Sequence, residues 1–301
     1  MMNFLKTKKK SIVAMLSVCT LITIVSADKP IFAANYVSAA ENDYVGKDVA
    51  KKITNNGLTS KNYITESAPN RSVSPNDSTN FVVLTDAVPD IITEVRYYTT
   101  YNFVGDRIAG YDEPCVMMTH EAAKALKEVS DEVKKQGYRL KVYDAYRPQM
   151  AVDNFVAWAE NLDDKRMKDY FYPQVDKTRL FADGYIDAKS GHSRGSTLDL
   201  TLFDMKTGKE VDMGGTFDHF GVESHPDWCG NPETNEYTGK YKGNTPPKNG
   251  EINEVQFKNR MILRRAMLKH GFKPLDTEWW HFTLKNEPYP DTYFTFKPHK
   301  K

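Results

Sequence analysis

Two short segments carry most of the side chains in this sequence that can do chemistry. Ser190-Gly191-His192-Ser193-Arg194-Gly195-Ser196-Thr197-Leu198-Asp199 holds an imidazole and a carboxylate, and Glu278-Trp279-Trp280-His281 holds a second such pair. Zinc at a catalytic site takes three protein ligands and keeps a fourth position for water. His192, Asp199 and His281 can supply that set, and Glu278, just ahead of the last ligand, is placed to deprotonate the water. The chemistry expected of such a set is that of a zinc hydrolase. Each pair also has a plain structural reading. His192 can cap a turn, and the Glu278–His281 stretch can be an aromatic core strand whose imidazole is satisfied by a hydrogen bond.

The surrounding pattern says what must position these groups. In Thr197-Leu198-Asp199-Leu200-Thr201-Leu202 the residues alternate, so a strand would turn its leucines to a core and Asp199 to the opposite face, toward a cleft or solvent. The odd separation puts His192 on the wrong face of a straight strand, so Arg194-Gly195 must bend the chain. Glu278 and His281 would share one face of a helix, but Trp279-Trp280 and Phe282-Thr283-Leu284 favour an extended chain, on which the two point apart. Glu278 is therefore expected in the turn after Pro274-Leu275-Asp276-Thr277, curling back toward the metal.

Three helices are legible. Thr119 can cap one that carries Ala122, Leu126, Val129 and Val133 and ends at Gly137. Pro148 suits the first turn of a second, with Ala151, Val152, Phe155 and Ala159 on one side. A third is expected from about Glu251 to His270, with Ile252, Val255, Ile262 and Ala266 inward and Gly271 closing it. Strands are expected at Arg139–Tyr143, Thr197–Leu202 and Trp280–Leu284. Helices and strands mixed without βαβ repetition predict an α+β domain, with a small antiparallel-rich sheet flanked by helices and the zinc site on the sheet.

Residues 1–33 read as a secretory leader: Lys6, Lys8, Lys9 and Lys10 precede an apolar run from Ser11 to Ser26, with small residues at Ala27, Ala33 and Ala34. Cleavage is expected after Ala33, and Cys19 is a weaker lipid-attachment signal. The run is short for a membrane span, so no stable span is expected after cleavage. Residues 34–80 are polar and read as a flexible arm, and residues 81–301 as the catalytic domain. Losing the leader takes the formal charge from +1 to −3, which gives no electrostatic reason to bind nucleic acid. Cys115 and Cys229 remain, as one disulfide or two buried thiols. The polar stretch Asn231 to Gly250 is expected as a surface loop or a lid.

Ser190 through Leu202, Glu278-Trp279-Trp280-His281, Glu287-Pro288-Tyr289-Pro290 and Asp144-Ala145-Tyr146-Arg147-Pro148 occur in an order that resembles the VanX-type zinc D-alanyl-D-alanine dipeptidases. Zinc D-Ala-D-Ala carboxypeptidases are relatives of that family. The likeness runs from about Ile92 to Phe296. It implies one zinc per chain on His192, Asp199 and His281, with Glu278 as general base and Arg147 stabilising the oxyanion. It further implies that Asp218 holds the substrate ammonium and that Ser190 lines the substrate pocket, with Gly191 where the family has a serine. Without the resemblance, Arg147 would be a solvated residue ahead of a helix and Asp218 a helix or turn cap.

The expected substrate is D-Ala-D-Ala or a peptidoglycan-derived peptide. The leader implies a secreted or wall-associated bacterial protein, whereas the resistance members of the family work in the cytoplasm. Two rival functions follow: a D,D-carboxypeptidase trimming D-Ala from stem peptides, and a non-catalytic, zinc-stabilised wall-binding module. Glu278 argues against the module, because a structural zinc site has no use for a base.

Overall fold

The alternating stretch that carries Asp199 is the middle strand of the main sheet. The computed structural model describes residues 72–240 and 251–300. The strands are β1 (Phe81–Val83), β2 (Ile92–Thr93), β3 (Met117–Thr119), β4 (Tyr138–Asp144), β5 (Thr197–Asp204), β6 (Lys209–Glu210), β7 (Gly230–Asn231), β8 (Glu236–Tyr237), β9 (Phe272–Leu275) and β10 (Glu278–Leu284). The helices are α1 (Leu84–Ala87), α2 (His120–Lys135), α3 (Gln149–Glu160), α4 (Lys168–Phe171) and α5 (Glu254–Lys269). The main sheet runs β2-β4-β5-β10-β9, with β6 paired to β5. Every pair in it is antiparallel except β2 with β4. The domain is mixed α+β, as its pattern predicts.

Leu198, Leu200 and Leu202 are fully buried on β5, and α2 and α5 pack on the sheet and on each other. Burial of such side chains is worth about 1.5–3 kcal/mol each. The other face of β5 differs from the expectation. Thr197, Asp199 and Thr201 are as buried as the leucines: the 3-10 turn Gly191–Arg194 packs on the strand, and His192, His281 and Arg147 close over Asp199.

Thr119 caps α2, its hydroxyl accepting from the Ala122 amide at 3.4 Å. Pro148 stands one residue outside α3, at its N-cap position, rather than within the first turn. For α5 a capping box between Asn253 and Gln256 sets the start, later than expected. Ile252 is consequently buried ahead of the helix, while Val255 is 67% exposed, on the outer face.

Residues 72–80 belong to the domain. The Pro75 carbonyl accepts from the Thr295 amide at 2.8 Å, and Val73 packs on a second core cluster built around Phe81, Tyr146, Phe294 and Phe296. Phe81 is thus not the first packed residue. The expected leader and most of the arm lie outside the described residues. Asn231 does not open a plain loop: β7 and β8 form a hairpin whose Tyr237 donates to the Ile252 carbonyl at 3.0 Å and packs on Phe257. Residues 241–250 lie outside the description. Cys115 and Cys229 are both buried free thiols, in different core clusters.

Candidate active site

Register brings the first two ligands together. Asp199 on β5 stands directly opposite His281 on β10. His192 reaches them from a 3-10 turn, Gly191–Arg194, that ends at Gly195 with φ of +82°. A Cβ on Gly195 would also lie 2.3 Å from the Phe81 ring, so both conformation and space demand glycine. The bend expected there is the one that forms. Ser190 caps this turn, its hydroxyl accepting from the His192 amide at 3.3 Å. That contact makes Ser190 a support for His192. Gly191 leaves no room for a side chain, since a Cβ would meet the Thr197 hydroxyl at 2.8 Å.

The ligand-type atoms converge. His192, Asp199 and His281 each offer one atom, all within 4.8 Å of one another. Asp199 Oδ2 is 3.2 Å from His192 Nε2, Asp199 Oδ1 is 3.1 Å from His281 Nδ1, and the two imidazole nitrogens are 3.3 Å apart. On its outer side His192 Nδ1 donates to the Ala145 carbonyl at 2.7 Å. A carbonyl only accepts, so the proton sits on Nδ1 and the Nε2 lone pair faces inward, the arrangement a metal ligand needs.

Glu278 differs in placement from the expectation. It is the first residue of β10, and the turn before it contains only Asp276 and Thr277. The register explains how it still reaches the site. From Glu278 to Phe282 β10 advances four residues while its partner β9 advances one, from Leu275 to Pro274. The bulge breaks the alternation. Trp279 and Trp280 are both buried, and Glu278 Oε2 lies 3.3 Å from His281 Nδ1.

Arg147 is embedded rather than solvated, its side chain 12% exposed. Its Nε donates to Asp144 Oδ2 at 2.9 Å, and its Nη2 lies 3.5 Å from Asp199 Oδ2 and from the Tyr97 hydroxyl. The guanidinium lies against the Tyr97 and Phe155 rings. Burial opposes its charge, but the Asp144 and Asp199 carboxylates beside it keep it protonated. Asp144 is fully buried and accepts from the Tyr111 hydroxyl at 2.6 Å. Asp218, at φ of +62°, accepts from the Tyr97 hydroxyl at 2.9 Å. Burial and the nearby Asp199 push its carboxyl well above the usual range. It sits within a short turn, with its carboxylate directed at Tyr97. Tyr97 and Tyr111 escaped the sequence reading, and Asp144 appeared there only as part of a motif.

The residues fit a cation. Asp199 Oδ1 is buried without a hydrogen-bond donor, with His281 Nδ1 standing 3.1 Å away. Burial disfavours a charged imidazole, yet the Asp199 and Glu278 carboxylates push His281 up to about 9. The site demands positive charge. Two inward nitrogens and a carboxylate match the mixed N/O donor sets that zinc accepts.

Three converging metal-type ligands with a carboxylate and an embedded arginine beside them are the equipment of a metallohydrolase. Comparison with known proteins narrows the class. A family described as D-ala-D-ala dipeptidase, peptidase family M15, matches residues 77–299, and the chain belongs to that family. The D-alanyl-D-alanine dipeptidase of Enterococcus faecalis is 37% identical over 216 residues, covering 72% of this chain and 96% of that protein. That of Enterococcus faecium is 36% identical, with 72% and 96% covered, and that of Streptomyces coelicolor 35%, with 72% and 97%.

Proposed function

We propose that this chain is an exported zinc dipeptidase that hydrolyses D-Ala-D-Ala. The observation that carries the reading is the convergence of His192, Asp199 and His281, with Glu278 against His281 and Arg147 against Asp199. The names of the relatives support the substrate. The site lies on the sheet, with Asp199 on β5 and His281 on β10. One zinc per chain, held by His192, Asp199 and His281, would supply Lewis acidity toward water and the peptide carbonyl.

The chain's own groups do the rest. Glu278 takes the proton of the attacking water and returns it to the leaving amine. Arg147 presents a charge already fixed by Asp144 and Tyr97 to the oxygen that gains negative charge, so little reorganisation is needed. Asp218, buried beside Tyr97, receives the substrate ammonium, which offsets an otherwise costly carboxylate. A buried carboxylate at that end favours a free dipeptide over a stem peptide, whose corresponding nitrogen is an amide. Export rests on the basic and apolar pattern of residues 1–33. Mass spectrometry of products from D-Ala-D-Ala and a pentapeptide stem, run in parallel, tests the reading. Release of D-Ala from the dipeptide alone is expected; release from the stem alone would make the chain a carboxypeptidase.

A further inference from the structure

Asp218 lies in a segment, residues 212–225, whose only regular element is the 3-10 turn Val222–Ser224. Besides its own bonds, such as the Ser224 hydroxyl donating to the His219 carbonyl at 2.6 Å, side chains of α5 hold it from outside. Gln256 Nε2 donates to Asp212 Oδ2 and Asn259 Nδ2 to the Asp212 carbonyl, both at 2.8 Å. Arg260 goes further. Its Nε donates to the Met213 carbonyl at 2.7 Å, and its Nη1 to the Glu223 carbonyl at 2.9 Å and the His225 carbonyl at 3.4 Å. One guanidinium therefore bridges the two ends of the segment that carries Asp218.

Arg260 is 1% exposed, and these hydrogen bonds all go to main-chain carbonyls. Burial pushes its pKa down to about 9, so it stays charged at neutral pH. Its guanidinium also lies 5.6 Å from the Trp279 ring centre. Trp279 meets Trp280 edge-on at 5.3 Å, and Trp280 meets Phe217 at 5.7 Å. The two tryptophans separate Glu278 from His281, and Phe217 precedes Asp218. An apolar residue of similar volume would fill the same space, but the Met213, Glu223 and His225 carbonyls would lose this donor. What it could not do is hold carbonyls at two separated points, a task that needs the planar, many-donor fork of arginine.

We propose that Arg260 is a positioning residue for substrate recognition: by fixing the spacing between the two ends of the segment, it holds the Asp218 carboxylate where the substrate ammonium docks. This inference rests on the ammonium-binding reading of Asp218. It is tested with Arg260→Met, which keeps volume and loses both bridges, and Arg260→Lys, which keeps the charge but can hold only one end. Each is assayed on D-Ala-D-Ala and on its N-acetyl derivative, with zinc content and thermal unfolding measured alongside. For Arg260→Met the preference for the free dipeptide should shrink by about tenfold, mainly through KM, while the rate on the acetylated substrate changes by less than about threefold. Arg260→Lys should fall between the parent and Arg260→Met, with zinc content unchanged in both. Equal losses on both substrates, or a parental preference that survives both substitutions in folded protein, overturns the role of Arg260. A parent with no preference overturns the Asp218 reading itself, and this inference with it.

Discussion

Replacing Asp218 with asparagine keeps the side chain's shape and leaves an oxygen to accept from Tyr97, but removes one buried charge. Asp218 is 6% exposed, and Arg147, reached through Tyr97, is the cation that partly offsets its charge. An ammonium docked there makes a desolvated, hydrogen-bonded charge pair. Losing one partner of such a pair costs about 2–5 kcal/mol. Taking about 2.7 kcal/mol, kcat/KM should fall by about a hundredfold. The parent should therefore prefer D-Ala-D-Ala to N-acetyl-D-Ala-D-Ala by at least about a hundredfold, and Asp218→Asn should lose most of that preference. Stability should move in the opposite direction. The folded pKa of Asp218 is raised, so its contribution is fully present below the unfolded value of about 3.9 and is lost as pH rises through the folded value. Without substrate, the Asn variant should gain Tm relative to the parent as pH climbs from about 4 toward neutrality. Steady-state D-Ala release and scanning calorimetry across pH measure the two effects. Equal kcat/KM on both substrates in the parent would refute the reasoning.

His281→Ala and Asp199→Ala should each lose most of about one bound zinc per chain, read by metal analysis; full occupancy in both would show the ligand assignment to be wrong. Glu278→Gln should keep its zinc and lose about a hundredfold or more in kcat, and turnover within about tenfold of the parent would remove Glu278 as the base. Arg147→Lys cannot reach Asp144 and the reacting oxygen together, so kcat should drop about a hundredfold with zinc content unchanged; an unaltered kcat would exclude an oxyanion role.

The parts legible in the sequence were those set by local periodicity and local backbone need. The alternation of Leu198, Leu200 and Leu202, the Thr119 cap and the Gly195 bend all form as read. The parts that were not legible depend on what packs from afar. Nothing in Glu278–His281 signals that β10 gains extra residues against β9, so the placement of Glu278 required the pairing itself. Tyr97 and Asp144 lie far apart in sequence and meet around Arg147 only once the sheet has formed. Val255 fits an apolar helical stripe, but the Asn253 and Gln256 capping box sets where α5 begins and which face turns outward.

The central claim is that D-Ala-D-Ala hydrolysis depends on a metal held by His192, Asp199 and His281. Its most direct test is D-Ala release by the purified protein before chelation, after chelation, and after zinc is added back in measured equivalents. Activity should vanish on chelation and return in full at about one zinc per chain. Undiminished hydrolysis by the chelated protein, or no D-Ala release by protein carrying its full zinc, would contradict the account.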